Sequence, residues 1–151
     1  MEYTYTDFEE GVEKIYNNVI ATGTDFNRVV GICRGGLFLA TRLSYKLRVP
    51  LTTISWSLRD GGEQESNLWL PEDINTGSKI LLVEDIVDGG NTIKTLLEDW
   101  EASSTIEPLK RENISIASCF YNVAQDIIPD FWHKTIDRNK DKEWINFWWE
   151  K

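Results

Sequence analysis

The chain twice carries the same local grammar: a short apolar run, a glycine pair, then apolar residues at helical spacing. In the first copy, Val29 to Ile32 leads into Cys33-Arg34-Gly35-Gly36. Leu37, Ala40, Leu43, Ser44 and Leu47 then resume at helical period until Pro50 stops the pattern. In the second, Lys79 to Val83 runs toward Gly89-Gly90, and residues 92–101 read as a helix. A continuous apolar run suits a strand covered on both faces, and a turn into a helix is how a parallel strand begins its crossover. Leu51 to Trp56 and Asn113 to Phe120 add two more strands, and Phe8, Val12, Ile15, Tyr16 and Val19 predict an amphipathic helix over 7–21. Thr6 and Glu9 have capping-box spacing at its start. These elements imply one α/β domain over 1–151, a mostly parallel twisted sheet flanked by helices. Ligands of such sheets gather beyond the carboxyl ends of the strands, so both glycine turns are expected at one site.

Two segments lack a clear period. Residues 57–78 hold turn chemistry, and a loop of that length in a compact domain is commonly a lid, here over about 57–70 and beginning with Ser57 and Arg59. The tail, about 122–151, carries Trp132, Trp144, Trp148 and Trp149 and reads as a small C-terminal hood. The net charge of −9 opposes a nucleic-acid or anionic-membrane surface, which needs a basic footprint. No apolar window reaches the ~18 residues of a membrane helix, and the acidic start MEYTYTDFEE is unlike a signal peptide. Cys33 and Cys119 form no framework or metal-ligand spacing and read as reduced thiols, so a cytoplasmic protein is expected.

The chemistry concentrates in Val83-Glu84-Asp85-Ile86-Val87-Asp88-Gly89-Gly90-Asn91-Thr92. Glycines let successive amides converge on an anion, and a helix N-terminus adds its dipole. The loop is neither a Walker loop nor a GxGxxG turn. An Asp-Gly turn that merely caps a helix leaves the adjacent acids Glu84 and Asp85 unexplained, since a buried charge needs a partner.

This run resembles the phosphoribosyl-pyrophosphate motif of type I phosphoribosyltransferases: two acids, two apolar residues, an acid, then a small-residue phosphate turn ending in Thr. VVGICRGGLFLATRLSYKLRVPL is similar to the pyrophosphate loop and following helix of the bacterial xanthine–guanine and hypoxanthine enzymes, and WINFWWE is similar to their Trp-Ile segment with a later Trp-acid pair. The resemblance implies a pentosyl transferase that joins a free purine base to phosphoribosyl pyrophosphate, giving a nucleoside monophosphate and pyrophosphate in purine salvage. It further implies that Glu84 and Asp85 hold the ribose hydroxyls directly or through Mg²⁺, and that Asp88 is the general acid/base. The amides of Gly89, Gly90, Asn91 and Thr92 take the 5′-phosphate. Arg34 with the Gly35 and Gly36 amides takes pyrophosphate, and the Cys33–Arg34 peptide, by family habit, is cis. Trp144 stacks on the base, with Ile145 offering backbone contacts to its edge; packing in a core or subunit contact is the alternative for Trp144 and the expectation for the other three tail tryptophans. A homo-oligomer, dimer or tetramer, is also implied.

Three departures bear on the reading. Asn122 stands where related enzymes carry a Lys that reads the purine oxygen, and an amide can donate or accept, so the base stays open. Gly89 replaces the usual Thr of the phosphate turn. Residues 60–78 contain no Lys or Arg to serve pyrophosphate, which leaves Arg59 or Lys79 as substitutes. A 6-oxopurine is favoured. The alternatives are another base, or a phosphoribosyl-pyrophosphate-sensing regulator with little turnover. His133, with no Cys or His near it in sequence, is expected at the surface, and Cys33 as a small loop residue without a nucleophilic role.

Overall fold

A computed structural model describes residues 1–58, 64–65, 69–104 and 107–151. Six strands form the central sheet: β2 (Arg28–Cys33), β3 (Leu51–Trp56), β4 (Gln64–Glu65), β5 (Ile80–Val87), β6 (Ile114–Asn122) and β7 (Phe131–Ile136). Their order is β4-β3-β2-β5-β6-β7. All pairings are parallel except β3 with β4, where Ser55 faces Glu65 and Trp56 faces Gln64. A second, two-stranded parallel sheet joins β1 (Glu2–Tyr3) to β8 (Asn146–Phe147) and ties the tail to the start of the chain.

Alternation along β5 explains both helical layers. Leu81 and Val83 face a core with α1 (Tyr5–Ala21) and α2 (Leu37–Leu47), while Ile80 and Leu82 face one with α3 (Trp69–Asn75) and α4 (Asn91–Ser103). In the first core, Phe8, Val12, Ile15 and Val19 of α1 lie beside Leu39, Ala40 and Leu43 of α2. In the second, Ile93, Leu96 and Trp100 of α4 join Leu70 and Ile74 of α3. Gly31 lets α2 settle on β2, because a Cβ there would come within 2.8 Å of the Ala40 Cβ.

The expected elements are present, with shifted ends. α1 starts two residues early because the capping box is Thr4–Asp7, not Thr6–Glu9: the Thr4 hydroxyl accepts from the Asp7 amide at 3.1 Å and the Asp7 carboxylate from the Thr4 amide at 2.9 Å. Lys134 and Thr4 donating to Asp7 hold its carboxyl well below the usual range. α2 ends at Arg48 in the left-handed conformation, φ 57°, two residues before Pro50. β5 continues past Val83 to Val87, pairing Glu84 with Ser118 and Val87 with Tyr121, so the acids lie inside a strand whose β signal they weaken. The segment 57–78, expected to be a loop, contains β4 and the short helix α3, whose Leu70 and Ile74 are buried one turn apart. His133 is not a surface residue: it is half-buried in β7, its Nδ1 is 2.8 Å from the Tyr3 hydroxyl, and burial lowers its basicity. Both cysteines are free; Cys119 is buried beside Tyr3, and burial pushes its thiol up. No helix among the described residues is long and apolar enough to cross a membrane.

Candidate active site

β2 and β5 are neighbours, yet their crossovers leave in opposite directions, through α2 to β3 on one side and through α4 to β6 on the other. The sheet's order therefore reverses between them, and a crevice opens beyond their carboxyl ends. Here the structure has a cleft of about 1210 Å³ lined by Cys33, Arg34, Gly35, Ser57, Glu84, Asp85, Asp88, Gly89, Gly90, Asn91, Thr92, Trp144 and Ile145. That volume exceeds the usual single-ligand pocket of about 300–1,000 Å³ and has room for two reactants. Phe38, Arg138, Trp149 and Glu150 also line it, and sequence reasoning assigned none of these to the site.

The first turn follows the cis Cys33–Arg34 peptide. Arg34 is exposed, and no carboxylate among the described residues pairs with it. Its two glycines are demanded by close approach: a Cβ on Gly35 would fall 2.1 Å from Asp85 Oδ2, and one on Gly36 would fall 2.3 Å from the Val83 carbonyl. The Gly36 amide, expected to meet pyrophosphate, instead donates to the Ile32 carbonyl at 2.9 Å. Gly36 is thus a packing residue that presses the turn onto β5, and of the two glycines only Gly35 lines the cleft.

The second turn leaves β5 at Asp88. Gly90 takes φ 75°, a conformation that L side chains resist, and begins α4 without a side-chain cap. No acceptor among the described residues takes the amides of Gly89, Gly90, Asn91 or Thr92, so they are available to an anion at the positive end of the α4 dipole. Gly89 has open space around it, the nearest atom to an added Cβ being Asn91 Nδ2 at 3.7 Å.

Glu84 and Asp85 share the crevice floor. Glu84 is only 8% exposed, its Oε1 accepts from the Asp85 amide at 3.1 Å, and Asp85 Oδ1 accepts from the Ile86 amide at 2.8 Å. No cationic side chain among the described residues pairs with either. Burial, then repulsion from Asp85, pushes the Glu84 carboxyl well above its ordinary range, and burial also raises Asp85. A buried acid beside a half-buried one, without a cation, is costly unless hydroxyl donors or a cation arrive with the ligand. No group of three or more described His, Cys, Asp or Glu side chains forms a complete protein cage for a metal. The pair nonetheless suits Mg²⁺, which is held through one or two carboxylates with water and substrate phosphate.

The base side departs from expectation. Asn122 does not line the cleft: it is 1% exposed, and its amide is committed to the protein. Its Nδ2 donates to Asp88 Oδ1 at 3.2 Å, while its Oδ1 accepts from the amides of Ala124 at 3.0 Å and Arg138 at 3.2 Å. It positions Asp88 and the chain after β7. Arg138, after β7, sends Nε to both Asp88 oxygens at 3.2 Å each. Trp144 is 57% exposed on the cleft wall, and Ile145 beside it has a buried side chain. Trp149 lies between Phe38 and Phe147 in a near-parallel stack, with centroids at 5.1 and 4.6 Å, so the Trp148-Trp149 pair packs the hood onto the body as expected. Lys79 lies at the amino end of β5, about 20 Å of extended strand from Asp85, and cannot serve pyrophosphate. Arg59 and most of the expected lid lie outside the described residues; Ser57 and Leu58 line the cleft.

Comparison with known proteins points to one family. A hypoxanthine/guanine phosphoribosyltransferase of Methanobrevibacter ruminantium is 30% identical over 104 residues, which cover 60% of this chain and 55% of that protein. The chain thus spans little more than half the length of that relative. A xanthine-guanine phosphoribosyltransferase of Idiomarina loihiensis is 26% identical over 129 residues, 83% of this chain and 71% of that one. The crystal structure of a purine phosphoribosyltransferase from Pyrococcus horikoshii shares the fold, with a TM-score of 0.73 at 21% identity over 100% of this chain and 94% of that one. Residues 4–150 match the phosphoribosyl transferase domain. With acids, glycine turns and strand reversal arranged around one cleft, the chain belongs to the phosphoribosyltransferase family.

Proposed function

We propose that this protein transfers the phosphoribosyl group of phosphoribosyl pyrophosphate to a 6-oxopurine, with Mg²⁺, releasing pyrophosphate and a nucleoside monophosphate. The observation that carries the reading is the pair of buried Glu84 and half-buried Asp85, uncompensated among the described residues, beside four open amides and Asp88 in one cleft. Glu84 and Asp85 accept the ribose hydroxyls, and the Gly89–Thr92 amides donate to the 5′-phosphate. Mg²⁺, when bound with the substrate near these acids, would offset the negative charge of acids and pyrophosphate. Arg34 and the Gly35 turn stabilise the charge that gathers on pyrophosphate.

In the reaction the C1′–O bond breaks, its electron pair leaves on pyrophosphate, and N9 of the base forms the new bond to C1′. Bond breaking runs ahead of bond making, which leaves an oxocarbenium-like ribose that water must not reach. Asp88 takes the proton that the base gives up at N7. Trp144 stacks on the ring. The relatives named above act on hypoxanthine, guanine and xanthine, which supports a 6-oxopurine here. One observation favours a sensing protein with little turnover: Arg138 already engages both oxygens of Asp88. A panel of free bases with phosphoribosyl pyrophosphate and Mg²⁺ separates the two. Nucleotide formed from hypoxanthine, guanine or xanthine supports the transferase, whereas calorimetric binding of phosphoribosyl pyrophosphate with no product from any base supports the sensor. Sedimentation would establish whether the implied dimer or tetramer forms.

A further inference from the structure

We propose that Arg138 reads the 6-position of the purine, a task that the family resemblance gives to the place of Asn122. The inference rests on the purine reading above and deepens it. Asn122 is unavailable because its donor and acceptor are consumed by Asp88, Ala124 and the Arg138 amide. Arg138 lines the cleft that Asn122 does not. Its Nε holds Asp88 and its Nη1 donates to the Glu143 carbonyl, while Nη2 has no acceptor among the described residues. Its side chain is largely buried and held at two nitrogens, so the guanidinium of this cleft-lining residue is fixed in place with a donor to spare.

Asp88 and Arg138 together present an acceptor and a donor side by side, in the same cleft as Trp144. A purine carries N7 and its 6-substituent along one edge. In hypoxanthine, guanine and xanthine the 6-substituent is an acceptor oxygen; in adenine it is a donating amine. A base protonated at N7 matches the pair: N7–H donates to Asp88, and the guanidinium donates to O6. Adenine sets donor against donor and leaves Nη2 without an acceptor, the arrangement that rejects a substrate most strongly. The same contact assists the chemistry. When the N7–H bond breaks, the proton goes to Asp88 and its electron pair stays on the ring, spreading to O6. That charge is carried by the ring and O6 only until N9 bonds to the electron-poor C1′ and the base becomes neutral, and the guanidinium stays beside Asp88 and O6 throughout.

The test measures the affinities of inosine, guanosine and adenosine monophosphates by calorimetry in wild type, Arg138→Gln and Arg138→Lys, with kcat/KM for the corresponding bases. Thermal melts establish that each variant folds. Wild type is expected to prefer inosine over adenosine monophosphate. Glutamine can accept from an amine as well as donate, so Arg138→Gln should shrink that preference by about tenfold or more, while Arg138→Lys keeps most of it. Equal weakening of all three nucleotides would mark a merely structural side chain and overturn the proposal, as would an unchanged ratio or a wild type indifferent to the 6-substituent. Failure of the two readings is distinguishable. A collapsed ratio without turnover of any base upholds Arg138 as the reader and sinks the transferase, whereas brisk hypoxanthine turnover with an unmoved ratio does the reverse.

Discussion

On the side of the cleft proposed to hold ribose and phosphate, every assigned group but Arg34 and Gly35 comes from one unbroken run, Glu84 to Thr92, and those two come from the matching turn after β2. On the side proposed to hold the base, Asp88 follows β5, Asn122 ends β6, Arg138 follows β7, and Trp144 and Ile145 precede β8. The first side is local geometry repeated; the second is assembled from four strand ends. A motif therefore describes the first, and single substitutions there should act on binding and chemistry in predictable ways. The second can exchange one residue for another from a different part of the chain, as proposed for Arg138 in place of the expected Lys, without any trace in a motif.

The largest effect is expected where the two sides meet. Asp88→Asn keeps the shape and the Asn122 contact but removes the proton acceptor, so turnover should fall about 10²–10⁴-fold while phosphoribosyl pyrophosphate affinity holds. Steady-state rates within twofold of wild type would break the division of labour.

On the phosphate side, Glu84→Gln with Asp85→Asn should cost Mg²⁺-dependent phosphoribosyl pyrophosphate affinity by about 10²-fold, the loss of two charge-assisted contacts, read by calorimetry with and without Mg²⁺. The metal-free protein should respond oppositely. Both carboxyls have folded pKa values above their unfolded ones, so the folded state binds more protons, and wild-type stability declines as pH rises from the unfolded carboxylate range through the raised folded values. Without charges to bury, the double variant should melt higher than wild type at pH 8, and the difference should vanish near pH 4. A lower melting temperature at pH 8 would mean that the acids are structural.

A smaller effect is expected on the base side. Trp144→Ala should weaken nucleotide binding by about 1–3 kcal/mol, equally across purines, because every purine offers a π-face. A loss confined to one base would give Trp144 part of the selectivity that Arg138 is proposed to carry. Smallest is a gain. Gly89→Thr meets no neighbour closer than Asn91 Nδ2, 3.7 Å from the new Cβ, and restores a hydroxyl to the phosphate turn. It should tighten nucleoside monophosphate binding by about 0.5–1.5 kcal/mol, one net hydrogen bond. Weaker binding in that variant would mean that the turn is already complete without a hydroxyl.

Apolar runs ending at Gly35-Gly36 and Gly89-Gly90 were enough to predict a parallel α/β sheet and its ligand side, because a buried strand and its turn are specified by neighbours in sequence. The Glu84–Thr92 run likewise announced acids beside an open-amide turn. Other features were invisible there for stated reasons. α3 is a single short helix whose burial of Leu70 and Ile74 too few residues advertise. β5 runs on through two acids that no strand propensity favours. Gly36 reads as an anion-binding glycine until the Val83 carbonyl is seen beneath it, which only the pairing of β2 with β5 reveals. The proposed exchange of Asn122 for Arg138 depends on β6 lying between β5 and β7, so that residues 88, 122 and 138 converge. Sequence alone determined which groups could act on a phosphate and a ribose, because one turn carries them. Tertiary structure decided which group can act on the base, because hydrogen bonds made across three strands consume one candidate and leave the other with a donor to give.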